Sequence, residues 1–134
     1  MMQPFSMDPS MLSMIGKTFY PTGYSLVMFP DGADASATGD RLSSEMPDSN
    51  VFLLEPATIL RQITPTVADA DNPLPSAGTE GATVRAYTKL ALEGHHGLLV
   101  ETPDADSAER MMETVRQVPY SMAQRYRALV IEDL

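Results

Sequence analysis

The sequence contains no cysteine. Disulfides, thiolate metal sites and cysteine nucleophiles are therefore excluded. Cations are scarce: 9 Lys and Arg against 18 Asp and Glu give a formal net charge of −9. Such an acidic surface repels phosphate backbones and argues against nucleic-acid binding. No apolar run approaches the roughly 18 residues that a membrane-spanning helix requires. No Gly-rich phosphate cradle occurs, and Ser36, Ser43 and Ser44 lack a Gly-x-Ser-x-Gly context, so nothing points to a nucleotidase or a serine hydrolase. What is present is a chain of 134 residues, a length that fits one domain with a core able to form without crosslinks. Residues 1–16 hold five of the ten methionines and no Lys or Arg before Lys17, which is not the pattern of a secretory leader. This segment reads as a flexible Met-rich tail, with a docking role as the functional alternative and Met14 as an alternative start.

The clearest local signal is Gly94 to Val118. An apolar strand around Leu98, Leu99 and Val100 stops at Thr102-Pro103, because proline cannot serve a strand interior. Asp104 or Asp106 can cap the following helix, and Asp106 with Glu109 resembles a capping box. Ala108, Met111, Met112, Val115 and Val118 recur at helical spacing and give that helix one apolar stripe.

Around this unit, Tyr24 to Phe29 reads as a mostly buried strand. Pro30-Asp31-Gly32 stops it. Asp31 to Met46 is a helix with Ala35, Thr38, Leu42 and Met46 on one face, weakened by Gly39 by about 1 kcal/mol relative to alanine. Val51 to Leu54 is a short strand, and Pro56 opens a helix whose apolar face is Ile59, Leu60 and Ile63. Thr66 to Gly78 is a polar loop that is long for a compact domain and could cover a site. Thr79 to Leu92 is a further helix stopped by Gly94. Past Pro119, Tyr120–Gln124 reads as a helical turn and Arg127–Ile131 as the last strand.

Without the two helices inserted at about residues 55–93, the order is β-α-β-β-α-β. The expected fold is α+β: a ferredoxin-like sandwich over residues 17–134 with a two-helix insertion between its second and third strands. Tyr24–Phe29 and His96–Glu101 would be the central strands, and right-handed crossovers would set both core helices on one face.

Three stretches carry a family resemblance: Lys17 to Asp31, Gly94 to Asp104 and Gln124 to Leu134. Together they resemble small bacterial proteins related to the general-stress-protein (heat-induced stress protein-like) domain. The resemblance implies a ferredoxin-like fold, a cytoplasmic setting and a stress-linked role. It carries over no catalytic residue.

His95 and His96 are adjacent, so on a strand they point to opposite faces and cannot easily grip one metal ion. His95 and Glu101 share a face but stand about 20 Å apart at roughly 3.3 Å per residue. The aromatics Phe19, Tyr20, Tyr24, Phe29, Tyr120 and Tyr126 gather near strand ends. The central strand His96–Glu101 has none, which favours packing over base stacking. Arg110, Arg116, Arg125 and Arg127 either form an anion pocket or pair with Glu109, Glu113, Glu132 and Asp133, at about 0–1 kcal/mol per exposed pair. Asp69, Asp71 and Asn72 alternate oxygens like a calcium loop but lack its glycine and distal glutamate.

The reading that follows is a non-enzymatic, cytoplasmic module that binds a protein partner or a small ligand. It would form a homodimer through the sheet face its core helices leave open. No cofactor, metal, nucleic acid or membrane is expected. The rival reading is a ligand-binding protein or enzyme. Its pocket would lie between that open face and the inserted helices, with His95, His96, Glu101 and Tyr87 as polar groups and a histidine as base.

Overall fold

A computed structural model describes residues 2–13, 16–67 and 79–134. Among them the chain forms an α+β structure with a six-stranded mixed sheet and four helices. The strands are β1 (Gln3–Pro4), β2 (Tyr24–Phe29), β3 (Val51–Leu54), β4 (His96–Glu101), β5 (Met122–Tyr126) and β6 (Ile131–Asp133). The helices are α1 (Gly32–Glu45), α2 (Pro56–Thr58), α3 (Thr79–Leu92) and α4 (Ala105–Val115). The sheet order is β1-β3-β4-β2-β5-β6. Every neighbouring pair is antiparallel except β1 with β3, which is parallel.

The two middle strands are buried on both faces. Ser25 to Phe29 and Gly97 to Val100 are unbroken buried runs, the pattern of a sheet covered above and below. Side-chain alternation splits each run between two cores. Val27, Phe29, Leu98 and Val100 meet Ala35 and Leu42 of α1 and Met111, Met112 and Val115 of α4. Leu26, Met28 and Leu99 meet Ile59, Ile63, Val84, Tyr87 and Ala91 on the other face.

The sheet face expected to stand open is therefore covered by the chain itself. The cover is α2 with its continuation, α3, and the N-terminal segment. Phe5 and Met11 are each 6% exposed, Gln3 pairs with Phe52 and Pro4 with Leu53, and Phe5 sits edge-on to both Phe19 and Phe52. The described residues before Gly16, expected to lie outside the domain as a tail, thus supply an edge strand and part of a core. Met2 crosses to the α1 side, where its sulfur approaches the backbone at Gly39 so closely that an alanine Cβ would collide with it and crowd Leu98. The weak helix former in α1 makes room for that approach.

Several local expectations need correction. The helix expected from Pro56 is α2 followed by a wider π turn over Ile59–Ile63 and a 3-10 turn over Thr64–Thr66. The α4 capping box uses Asp104 and Ser107, not Asp106 and Glu109. Asp104 Oδ1 accepts the Ser107 N–H at 2.8 Å, and Ser107 Oγ accepts the Asp104 N–H at 3.2 Å. At the C-terminal end, the expected helical turn over Tyr120–Gln124 and strand over Arg127–Ile131 are replaced by the hairpin β5–β6. Met122, Gln124 and Tyr126 alternate with Ala123 and Arg125, which is strand period. Leu129, expected inside a strand, lies at the hairpin tip and is 94% exposed. Residues 68–78, which hold most of the expected loop and the calcium-like Asp69, Asp71 and Asn72, lie outside the described residues.

Because Phe5 is part of the core, Phe5→Ala lowers unfolding stability by about 3–5 kcal/mol. Urea unfolding of the variant measures this. A change below about 0.5 kcal/mol, the range of exposed substitutions, shows that the segment does not contribute.

Candidate functional site

The four residues expected to carry chemistry do not meet. His96 lies opposite Phe29 at the start of β4. Its ring sits over Gly32 at the start of α1, so close that a side chain at Gly32 would strike it. Glu101 is at the other end of β4, where its Oε1 accepts the Asn50 N–H at 3.1 Å. Tyr87 is fully buried in α3 on the face opposite α1 and α4. His95 precedes β4, and its Nδ1 is 2.8 Å from Ser121 Oγ.

The last contact brings together a set that sequence spacing did not reveal: Ser121, His95 and, 4.0 Å from His95 Nε2, Glu93. It resembles a nucleophile, base and orienting acid, but its proton count is wrong. The Ser121 hydroxyl donates to the Met28 carbonyl at 3.1 Å. A hydroxyl has one proton, so His95 Nδ1–H must be the donor to Oγ. A histidine that donates there cannot take the serine proton. The Glu93 distance is too long for a hydrogen bond. These contacts tie the turn before β4 to the ends of β2 and β5.

Tyr87 belongs to a different arrangement. Its hydroxyl donates to Gln124 Oε1 at 3.1 Å and lies 3.0 Å from the Tyr126 hydroxyl. Gln124 Nε2 donates to Asp133 Oδ1 at 3.0 Å. Because the Tyr87 proton goes to Gln124, Tyr126 must donate to Tyr87. The chain then runs one way: Tyr126 to Tyr87 to Gln124 to Asp133, from the core to the exposed side of β6. The ends fix the Gln124 amide orientation, since the reverse would set its oxygen against a carboxylate. Burial first, then the neighbouring Tyr126 hydroxyl and the Asp133 charge, push the Tyr87 phenol well above its ordinary range. It stays protonated at neutral pH and is no general base.

Above the outer part of this chain is a groove of about 330 Å3 between α3 and the β5–β6 hairpin. Ala82 and Ala86 form one wall. Met122 and Gln124 of β5 and Ile131 and Asp133 of β6 form the other. The short side chains of Ala82, Thr83 and Ala86 do not fill the gap between α3 and the hairpin, which leaves the space. A second groove of about 250 Å3 between α1 and α4 contains Arg41, Glu45 and Arg110. Its charges are already matched: Arg41 bonds Glu45 and Gln117, and Arg110 bonds the Glu45 carbonyl. Thr114 donates to Glu45 Oε1 and, with Arg41, holds the Glu45 carboxyl below its ordinary value. Neither groove is lined by His95, His96, Glu101 or Tyr87. Of the expected arginine pairs, Arg116–Glu109 and Arg125–Glu132 form at 2.9 and 3.0 Å. Among the described residues no group of three His, Asp or Glu side chains is arranged to hold a metal ion.

Tyr87→Phe removes the hydrogen bonds that the Tyr87 hydroxyl makes with Gln124 Oε1 and the Tyr126 hydroxyl and lowers stability by about 1–2 kcal/mol. The raised folded-state value of Tyr87 also sets a sign. Its stabilising share is whole below the unfolded tyrosine value of about 10 and is lost as pH rises through the folded value. Denaturation between pH 8 and 11 therefore shows wild-type stability falling above about pH 10 more steeply than that of Tyr87→Phe. Equal slopes contradict the assignment. No family model matches the chain, and neither does any curated protein or solved structure.

Proposed function

We propose that this chain is a non-enzymatic binding module that takes up a polypeptide partner along the outer edge of β6. A ferredoxin-like core is part of the proposal. It is supported by the order β3-β4-β2-β5 with antiparallel neighbours, and by α1 and α4 sharing one face. A cytoplasmic setting and a stress-linked role, implied by the sequence resemblance, belong to it as well.

The observation that carries the reading is the hydrogen-bond phase of the β5–β6 hairpin. Arg127 N–H bonds the Val130 carbonyl at 2.8 Å, and Leu134 N–H bonds the Ala123 carbonyl at 3.0 Å. In an antiparallel ladder, hydrogen-bonded and non-bonded pairs alternate. The register Tyr126–Ile131, Arg125–Glu132 and Gln124–Asp133 therefore turns the N–H and C=O groups of Ile131 and Asp133 away from β5. β6 ends the sheet order, so these groups form its outer edge. Val130, 51% exposed, and Leu129 stand beside them. Edge backbone that pairs with no strand among the described residues, next to exposed apolar side chains, is the geometry used in strand addition. The residues offered by the rival enzyme reading are dispersed, and Tyr87 is locked as a neutral phenol.

The test is selection of displayed random peptides on the immobilised chain, repeated with Ile131→Pro. That variant deletes an outward N–H and no hairpin bond, a place where a strand tolerates proline. The expected binders lose capture on Ile131→Pro and slow amide exchange at Ile131 and Asp133 in the wild type. An absence of binders, or binders indifferent to the proline in a variant with unchanged circular dichroism, overturns the proposal.

A further inference from the structure

Resting on that reading, we infer that the partner is an extended segment with a basic residue two positions before an apolar one, and that Asp133 is the seat for its cation. A strand added antiparallel to β6 places one residue opposite Asp133 and the residue two later opposite Ile131. Both then lie on the groove face, since alternate strand residues share a face. Asp133 is exposed and accepts a hydrogen bond from Gln124, and no cation of the described residues pairs with it. A Lys or Arg opposite it gains a charge-assisted hydrogen bond. The next groove-facing residue meets Ile131 and Met122, both partly buried on the apolar cluster. The intervening residue lies opposite Glu132, which Arg125 already neutralises at 3.0 Å on the other face, so it carries no charge requirement.

Charge also argues against a second copy as the occupant. An antiparallel β6–β6 pair centred on Glu132 sets two glutamates opposite one another, and one centred on Asp133 sets two aspartates opposite. Like charges facing across a ladder are unfavourable. The pair centred on Ile131 puts Asp133 against Leu129 and supplies no cation. With a net charge of −9 on each chain, approach of two copies is opposed at long range, while a basic segment is attracted.

The experiment is calorimetric titration with two synthetic peptides, Thr-Val-Lys-Thr-Val-Thr-Val and its Glu-for-Lys counterpart, against wild type, Asp133→Asn and Ile131→Pro. Asp133→Asn keeps an acceptor for Gln124 and removes only the charge. Expected is Lys-peptide binding to wild type that weakens about three- to tenfold in Asp133→Asn and at raised salt, with weaker or no Glu-peptide binding. If both peptides bind alike and Asp133→Asn changes nothing, the cation seat is wrong. The edge reading then survives only if Ile131→Pro abolishes both. Binding that ignores Ile131→Pro defeats both readings. Sedimentation of the chain alone completes the test: a dimer that the Lys peptide dissociates makes a second copy the occupant and overturns the inference.

Discussion

The pairing of β2 with β4 places two apolar strands side by side in the middle of the sheet, and neither has a polar face to give to water. Six residues of β2 register with six of β4, and every position from Ser25 to Phe29 is buried. Such a pair is stable only under two covers, because exposing either set of side chains forfeits about 1.5–3 kcal/mol for each large residue. Two helices supply one cover. The other is assembled from chain segments distant in sequence: the N-terminal stretch, the turns after Pro56, and α3. The hydroxyls of Tyr87 and Tyr126 are enclosed by this second cover and satisfy one another. The chain of hydrogen bonds toward Asp133 follows from that need, since a buried hydroxyl without a partner is costly.

What the sequence made legible is what local physics decides. β2, β3, β4, α1, α3 and the body of α4 have periodic apolar residues and end at Pro or Gly, and they lie where those signals put them. The illegible parts depend on distant partners. Phe5 reads as part of a polar, Met-rich stretch until Phe19 and Phe52 are placed beside it. Leu129, Val130 and Ile131 form the most apolar run near the C-terminus, yet the strand period lies in Met122–Tyr126, and of the run only Ile131 joins a strand. Of Arg127–Ile131, which hydrophobicity favoured, four residues fall outside the strands. At α4, Asp104 and Asp106 were both capping candidates, and only the extended backbone at Asp104 (φ −142°) decides between them.

The chemistry was less legible than the fold. His95, His96, Glu101 and Tyr87 were gathered by residue type, but β4 carries His96 and Glu101 to opposite ends and turns the histidines to different neighbours. Ser121 joins His95 only through the sheet. Gln124 gave no sequence signal, and Asp133 read only as an arginine partner on a solvated surface, whereas it accepts from the Gln124 amide. Their significance arises from the hairpin register.

The parallel pairing of Gln3–Pro4 with Phe52–Leu53 joins segments about fifty residues apart. During synthesis, Phe5 and Met11 are made well before the strands they will cover. Closing so long a loop costs entropy before any contact compensates for it. The N-terminal segment is therefore placed to dock late, on a sheet already formed by the hairpin-like neighbours. Until then Phe19 and Phe52, the ring partners of Phe5, lack part of their cover, and apolar surface left bare during folding favours aggregation.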